Sequence, residues 1–438
     1  MIGVKSIIHR IKNSDIGRRI MYGAFWSVAG TALGKCVVLV ASIICAHILT
    51  KEQYGEFGII RSTVNMFVVF GSAGLGLTAS KYISEYKGSN KDRIPSIYLL
   101  TNGFAFVTGL IITLVVFFFA PYLANNYLNA PHLLIPLRVG VFLLFVTVIN
   151  GAQTGTLSGF EDFKSIAINT FFGSIAESVF MLIGAYFWGL IGAILGFGTG
   201  YLVIYVLHNI SIKKNLKIND IKATIKDFRP KDIRLLYFFS LPAMLSSMMV
   251  APAYWVVKSI LARNGGFEEL AGFEAADQWR VIILFLPSSI SHIALPILSS
   301  LSGRSDNRYW RTFWLNMGLN GGVAFIMALI VSCFSPLIMG FYGSNYVDDN
   351  LTLIILSAST VFSSMASVVG ASIYSRSKSW MGFGFNAIWA LMMISFSLLF
   401  MKQGLGAKGI ALAILISYSI HTLLQLMYMV FTFKRKER

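Results

Sequence analysis

The segment 21-MYGAFWSVAGTALGKCVVLVASIICAHIL-49 carries one formally charged side chain, Lys35, among its 29 residues. Such a segment can cross a bilayer, whose hydrocarbon core needs about 20 apolar residues per helix. Eleven further apolar stretches follow, and we expect each to be helical because lipid leaves no other partner for the backbone polar groups. The twelve predicted helices cover residues 21–49, 57–80, 96–120, 133–158, 166–187, 189–208, 236–261, 275–300, 312–336, 350–374, 379–401 and 406–431. The pattern predicts an all-α integral membrane protein.

Composition and charge distribution support this class. Hydrophobic residues make up 56% of the chain, charged residues 13%, and the mean hydropathy is +0.70, which excludes an ordinary soluble enzyme. Of the 36 Lys and Arg residues, 27 fall in the termini and the even-numbered loops, and four, Lys51, Arg263, Lys402 and Lys408, lie toward the opposite face. This bias places both termini in the cytoplasm. The net charge of +17 therefore reflects topology and membrane lipid, and we expect no nucleic-acid partner.

The chain divides into two similar halves. Gly189 matches Gly406 at an offset of 217 residues, and Glu52 matches Glu268 at 216. Six helices per half make these parallel repeats, an arrangement that places a substrate site between two lobes. The predicted regions are a cytoplasmic amphipathic leader, an N-lobe, a basic cytoplasmic linker, a C-lobe and a basic cytoplasmic tail, at residues 1–20, 21–208, 209–235, 236–431 and 432–438.

Charged residues at membrane depth form the candidate site. Each costs at least about 2.5–3.5 kcal/mol at a helix centre and needs a reason to be there. The cations are Lys35, Arg61, Arg138, Lys258 and Arg280, and the acids are Glu177 and Asp277. Five cations against two acids predict a cationic cavity that receives an anionic substrate such as a diphosphate. This hypothesis requires that neighbouring carboxylates do not neutralise the cations.

Alternatives exist for most of these residues. Arg61, Arg138 and Lys258 lie near predicted helix ends, where long side chains reach the headgroups. Asp277 and Arg280 are three residues apart and can form a local ion pair. Lys35 lies too deep for either explanation. Glu177 is a charge partner for Lys35, a site for a coupling proton, or a buried structural carboxyl.

Four prolines are candidates for helix kinks that open and close the cavity. Pro242 and Pro252 fall in the seventh predicted helix, and Pro287 and Pro296 fall in the eighth. Proline removes a backbone hydrogen bond and bends a helix. Static kinks that only shape packing are the alternative.

Enzymatic and metal-binding motifs are missing from the sequence. The histidines and cysteines have no metal-ligand spacing, and there is no nucleophile–base constellation or phosphate-binding loop. We therefore expect no metal, no cofactor and no catalysis. Transport energy would come from H+ or Na+ coupling, the membrane potential or the substrate gradient.

Two motifs resemble a known family. The run 49-LTKEQYGEF-57 resembles the L-x-x-x-x-Y-G-x-F signature of Wzx-type oligosaccharide and polysaccharide flippases, and 239-FSLP-242 resembles the start of their seventh helix. The resemblance implies the fold of the multidrug/oligosaccharidyl-lipid/polysaccharide (MOP) exporter superfamily. It also implies alternating-access transfer of polyprenyl-diphosphate-linked oligosaccharide across the cell membrane, for O-antigen, capsule or exopolysaccharide synthesis by a downstream polymerase.

Three other functions remain open. A MATE-like drug or cation exporter would use embedded acids, whereas the embedded set here is net positive. Lipid II flippases resemble chains with two more helices than the twelve predicted here. A membrane polysaccharide polymerase or ligase usually carries a large outer loop, and the outer loops here are short.

Overall fold

The computed structural model describes residues 15–72, 74–236, 240, 248–291, 307–376 and 378–434. Within these ranges nearly every residue is helical and no β-strand occurs. The helices are α1 Asp15–Ile48, α2 Lys51–Ser72, α3 Leu75–Ser89, α4 Ile94–Tyr122, α5 Leu134–Gly159, α6 Phe163–Ile218, α7 Val250–Gly265, α8 Phe267–Ile283, α9 Asn307–Cys333, α10 Ser335–Gly340, α11 Asn350–Ser375, α12 Ser379–Lys402 and α13 Gly406–Met429. Short 3-10 or π turns lie at Lys91–Arg93, Leu123–Tyr127, Pro131–Leu133, Ile225–Asp227, Pro230–Ile233, Ser344–Asp349 and Val430–Lys434.

Eight helical stretches in the described residues are long and apolar enough to cross a membrane. A ninth is obtained when α2 and α3, which meet at an angle of 45°, count as one broken span. The predicted all-α membrane fold class is therefore confirmed, with α2 and α3 forming the predicted second helix.

Helix α6 contains two of the predicted helices. Its 56 residues are interrupted at Trp188 and Gly189, where the backbone is non-helical and Gly189 has a φ of 57°. The two arms fold back on each other, since Gly192 faces Gly184 and Gly196 faces the Phe180 carbonyl at distances that leave no room for a Cβ. Glycine is required at these approaches because the two backbones touch.

Several predicted helix starts were wrong, and α1 begins at Asp15 instead of residue 21. Helix α2 begins at Lys51 instead of residue 57, and α8 begins at Phe267 instead of residue 275. Both added segments are rich in acidic residues, including Glu52 and Glu268, which made them look like loops. Acidic residues are favourable in the first turns of a helix because they face the positive end of its dipole.

Two of the four candidate prolines lie within the described residues, and Pro287 follows a break in a helix. Pro252 lies in the first turn of α7, and Pro287 lies in the helical stretch 285–291, just after α8 ends at Ile283. Proline cannot donate a hydrogen bond to the carbonyl four residues earlier, so the helix is interrupted there. Pro242 and Pro296 lie outside the described residues, and gating by these positions stays a prediction.

Packing separates the helices into two groups. Helices α1 to α6 pack mainly among themselves, and so do α7 to α13. The groups meet where α2 packs against α7 and α8. At Gly55 a Cβ would overlap the Phe267 carbonyl, and at Gly58 it would overlap the Glu274 side chain. The predicted domain boundaries stay a prediction: α1 starts inside the predicted leader, α6 runs into the predicted linker, and residues 1–14 and 435–438 lie outside the described residues.

Backbone contact between α3 and α5 gives a test of the packing. A Cβ at Gly155 would meet the backbone of Gly76, whereas one at Gly103 in α4 would have no neighbour within 4 Å. We expect Gly155→Ala to destabilise the protein by about 1–3 kcal/mol through overpacking. Gly103→Ala should leave the melting temperature in detergent unchanged or slightly raised, and equal effects of the two variants would contradict the packing described here.

Candidate functional site

A cavity of about 520 Å³ lies between the two groups of helices. Its wall is formed by residues of α1, α2, α6, α7 and α8. Six of the seven charged residues predicted for the site line it, namely Lys35, Arg61, Glu177, Lys258, Asp277 and Arg280. The arrangement gathers residues from both halves of the chain around one space.

Close packing of α1 on α6 positions Lys35. A Cβ at Gly30 would overlap Ala167, and one at Gly34 would lie 2.9 Å from the Ser174 hydroxyl. These glycines let the two helices touch, so that Lys35, the next residue, lies on the cavity wall. Its Nζ is 5.4 Å from the ring centroid of Phe285. In the described parts of the chain Lys35 forms no ion pair with a carboxylate.

Three predicted cations are neutralised by carboxylates, contrary to the prediction of a set of free positive charges. Lys258 Nζ lies 2.8 Å from Glu274 Oε1 and 3.2 Å from Asp277 Oδ2. Arg61 Nη2 lies 3.1 Å from Glu274 Oε2, and Arg280 Nε pairs with Asp277 Oδ1. In a low dielectric an unpaired charge is costly, so these pairs lower the cost of placing the cations at this depth.

Glu274 is the residue that the sequence analysis missed. Only 1% of its surface is exposed, and it bridges Arg61 of α2 to Lys258 of α7. The eighth helix was predicted to start at residue 275, so Glu274 was assigned to the preceding loop. Its position one turn before Asp277 is the signal that could have identified it, because residues three apart share one helix face. The cavity and its border hold four cations and three carboxylates, so one positive charge remains in excess.

The remaining two predicted residues differ in location. Glu177 lines the cavity and interacts electrostatically with Arg61, but has no ion pair within the described residues. Arg138 does not line the cavity. Its guanidinium stacks over Phe117 with Cζ 4.8 Å from the ring centroid. The cavity hypothesis therefore no longer includes Arg138.

Neutral polar contacts also join the two halves beside the ion pairs. We call this set of contacts, between the first group of helices and α7 and α8, the seal. Gln278 of α8 donates hydrogen bonds to the Tyr54 hydroxyl at 2.6 Å and to the Ser42 hydroxyl at 2.7 Å. Trp255 Nε1 donates to Thr63 Oγ1 at 2.9 Å. Contacts of this kind satisfy buried polar groups across the interface.

A further ion pair lies at the ends of the helices. Lys51 Nζ at the start of α2 lies 2.8 Å from Asp349 Oδ2, just before α11. The seal therefore extends from the cavity to the end of the molecule where α2 and α8 begin.

Comparisons with known proteins agree with this architecture. The sequence profile of the family described as "Polysaccharide biosynthesis protein" matches residues 20–302. The EPS I polysaccharide export inner membrane protein EpsE of Ralstonia solanacearum is 24% identical over 423 residues, which are 92% of this chain and 93% of that protein.

Solved structures of MOP superfamily transporters are also similar. An inward-facing multidrug resistance MATE family transporter has a TM-score of 0.76, with 16% identity over 90% of this chain and 93% of that chain. A MOP transporter from Pyrococcus furiosus, whose binding pocket is described as having reverse polarity, has a TM-score of 0.71, with 18% identity over 94% of each chain. These similarities confirm the predicted MOP fold.

The ion-pair cluster gives a stability test. Asp277→Asn would leave Arg280 and Lys258 short of one negative charge in a buried site, and we expect a loss of about 3–5 kcal/mol in the free energy of unfolding. Denaturation in detergent measures it. The control is Glu161→Gln in the half-exposed Lys87–Glu161 pair, 3.8 Å apart, where we expect less than about 1 kcal/mol. Equal losses would show that the cluster is not a buried network.

Proposed function

Because the chain belongs to the polysaccharide biosynthesis protein family, whose profile covers residues 20–302, we propose that it flips polyprenyl-diphosphate-linked oligosaccharides across the membrane. The coarser function is already established, since the chain is a multi-pass membrane transporter of the polysaccharide-export type. The observation that carries the finer proposal is Lys35, a cation that faces the cavity between the two halves and pairs with no carboxylate of the described residues.

A diphosphate needs a cation to leave water. Carrying a polar, doubly charged headgroup through about 30 Å of hydrocarbon is prohibitive without compensation. No carboxylate in the described part of the chain pairs with Lys35, so its positive charge is available to a phosphate. Its ammonium group binds phosphate as a point charge from any direction, which suits a headgroup that moves during transport.

Because some cations are paired across the two halves, substrate binding can change the conformation of the protein. Arg61 belongs to the first half and Glu274 to the second, and their ion pair spans the seal. A diphosphate bound at Lys35 competes with Glu274 for Arg61, because an arginine can bind phosphate bidentately. Loss of the Arg61–Glu274 pair weakens the contact between α2 and α8. Substrate binding therefore favours separation of the halves at this end.

Alternating access follows from this competition. With both termini in the cytoplasm, the seal between α2 and α8 lies toward the outer face, and the cavity receives the headgroup from inside. The prenyl tail stays in lipid while the halves rock and release the headgroup outside. A downstream polymerase then uses the repeat unit for an O-antigen, capsule or exopolysaccharide. No bond is made or broken, and Glu177 is the candidate for H+ or Na+ coupling.

A drug or cation exporter of the same superfamily is the second candidate. Glu177 favours it, as the cavity carboxylate without an ion pair in the described residues. Lys35 weighs against it, because an unpaired lysine repels an organic cation in the same space. A lipid II flippase would carry a headgroup of the same charge, but that family resembles chains with two additional helices.

Lys35 is tested by charge-removing and charge-retaining variants. We expect Lys35→Ala to reduce flipping in proteoliposomes, and surface polysaccharide in cells, to below about a tenth of wild type, because more than about 1.4 kcal/mol of headgroup stabilisation is lost. Lys35→Arg should restore most of the activity. Lys402→Ala, at the exposed end of α12, is the control that should leave both unchanged. Normal flipping by Lys35→Ala with membrane levels intact would refute the proposal, and uptake of ethidium by wild type would favour the exporter.

The seal is tested by opening it without substrate. Glu274→Gln removes the carboxylate that Arg61 and Lys258 share. If the contact between the halves loses about 1 kcal/mol of stabilising free energy, the outward-open population should rise about fivefold. The readout is labelling of a Ser62→Cys reporter in the cavity by a membrane-impermeant maleimide added outside, with Cys36, Cys45 and Cys333 replaced by serine.

Two comparisons make the seal experiment decisive. The same reporter carrying Glu161→Gln, far from the seal, should label at the wild-type rate. An unchanged rate with Glu274→Gln, in protein that still binds substrate, would show that the ion pair does not hold the halves together.

A further inference from the structure

A second cavity lies within the second group of helices. Its volume is about 710 Å³, and its wall is formed by α11, α12 and α13. The residues that carry its chemistry are Ser363, Ser367, Asn386, Tyr418, His421 and Gln425. None of the lining residues is an Asp, Glu, Lys or Arg. This space is therefore polar without formal charge, in contrast to the cavity around Lys35.

Gln425 carries a buried side-chain oxygen that has no hydrogen-bond partner among the described residues. Only 2% of its surface is exposed, and its side-chain oxygen accepts no hydrogen bond within the described residues. Leaving such an atom unsatisfied costs free energy that a hydrogen-bonding ligand would recover. An apolar lipid chain in this cavity would leave the cost in place. Gln425 is therefore a candidate acceptor for an occupant that donates hydrogen bonds.

Serine hydroxyls on α11 offer further acceptors. Ser363 Oγ donates to the Thr360 carbonyl at 3.2 Å, and Ser367 Oγ donates to the Ser364 carbonyl at 2.7 Å. Each proton is thus used within the helix, while the lone pairs of the oxygen stay available to a ligand. The two serines are one helical turn apart and lie on the same wall of the cavity. An array of this kind suits a ligand that carries several hydroxyl groups.

Tyrosines connect this cavity to the charged one. Tyr254 lines the charged cavity and Tyr418 lines the neutral one, and their hydroxyl oxygens are 3.5 Å apart. Arg280 Cζ lies 4.7 Å from the centroid of the Tyr254 ring. On the other side, the Tyr418 ring centroid lies 5.0 Å from that of the buried Trp389. The two cavities therefore adjoin at the tyrosine pair.

We propose that the cavity between α11, α12 and α13 is the subsite for the uncharged sugar units of the transported glycan. The inference rests on the proposed function, because it divides one headgroup between two cavities, with the diphosphate at Lys35 and the sugars at Gln425. A cation or an anion finds no compensating charge in the neutral cavity, and an apolar chain finds no use for its acceptors. A volume of about 710 Å³ falls within the range of about 300–1,000 Å³ usual for small-molecule sites.

The test compares two probes that differ only in the sugar. The purified protein in detergent is titrated with polyprenyl diphosphate and with the same lipid carrying one N-acetylglucosamine. We expect wild type to bind the sugar-bearing probe at least about fivefold more tightly, as one or two net hydrogen bonds provide. Gly370→Leu, which fills the cavity, and Gln425→Leu, which removes the acceptor, should both bring this ratio close to one. Neither should change the affinity for the sugar-free probe.

Gly370→Ala is the matched control. A Cβ at this position would lie 3.8 Å from Gln425 Nε2, an ordinary van der Waals contact, so the fivefold preference should survive. The two leucine variants act by different means, and retention of sugar-free binding shows that each is folded. Equal binding of the two probes by wild type, or a preference that both leucine variants retain, would overturn the sugar subsite alone. Binding of neither probe by wild type would contradict the proposed function and the subsite together.

Discussion

Charge pairing at membrane depth is the constraint on which this structure depends. Arg61, Lys258 and Arg280 cannot remain in a low dielectric without partners, and Glu274 and Asp277 supply them. Because Arg61 lies in α2 and Glu274 in α8, the pairing holds the two halves together. Gly55 and Gly58 allow the approach, since any side chain there would push α8 away. The cavity and its seal therefore follow from the same contact.

Helices α2 and α8, whose charges meet, occupy equivalent positions in the predicted internal repeat. The offset of 216 residues that aligns Glu52 with Glu268 also aligns Gly58 with Glu274 and Arg61 with Asp277. Helices α2 and α8 are thus equivalent elements of the two repeats, and they contact each other across the boundary between the halves. Helix α2 contributes Arg61 and two glycines to the contact, and α8 contributes Glu274.

The sequence was sufficient for the fold but only partly for the site. Helix length and the distribution of Lys and Arg predict a membrane protein with its charged residues gathered between two halves, and six of the seven are found there. Glu274 was missed because acidic first turns resemble loops in a hydropathy pattern. Partnering of Arg61 could not be predicted, because residues 61 and 274 meet only after folding. The neutral cavity was also missed, since isolated Ser, His and Gln residues in apolar helices are usual in helix packing.

The central claim is that the cavity recognises negative charge in the headgroup through Lys35. Its most direct test is native mass spectrometry of the protein with polyprenol, polyprenyl phosphate and polyprenyl diphosphate, which share one tail. Affinity should rise with each phosphate, and Lys35→Ala should remove most of the difference between diphosphate and polyprenol. Equal affinity for the three lipids, or a phosphate preference that Lys35→Ala leaves intact, would contradict the account.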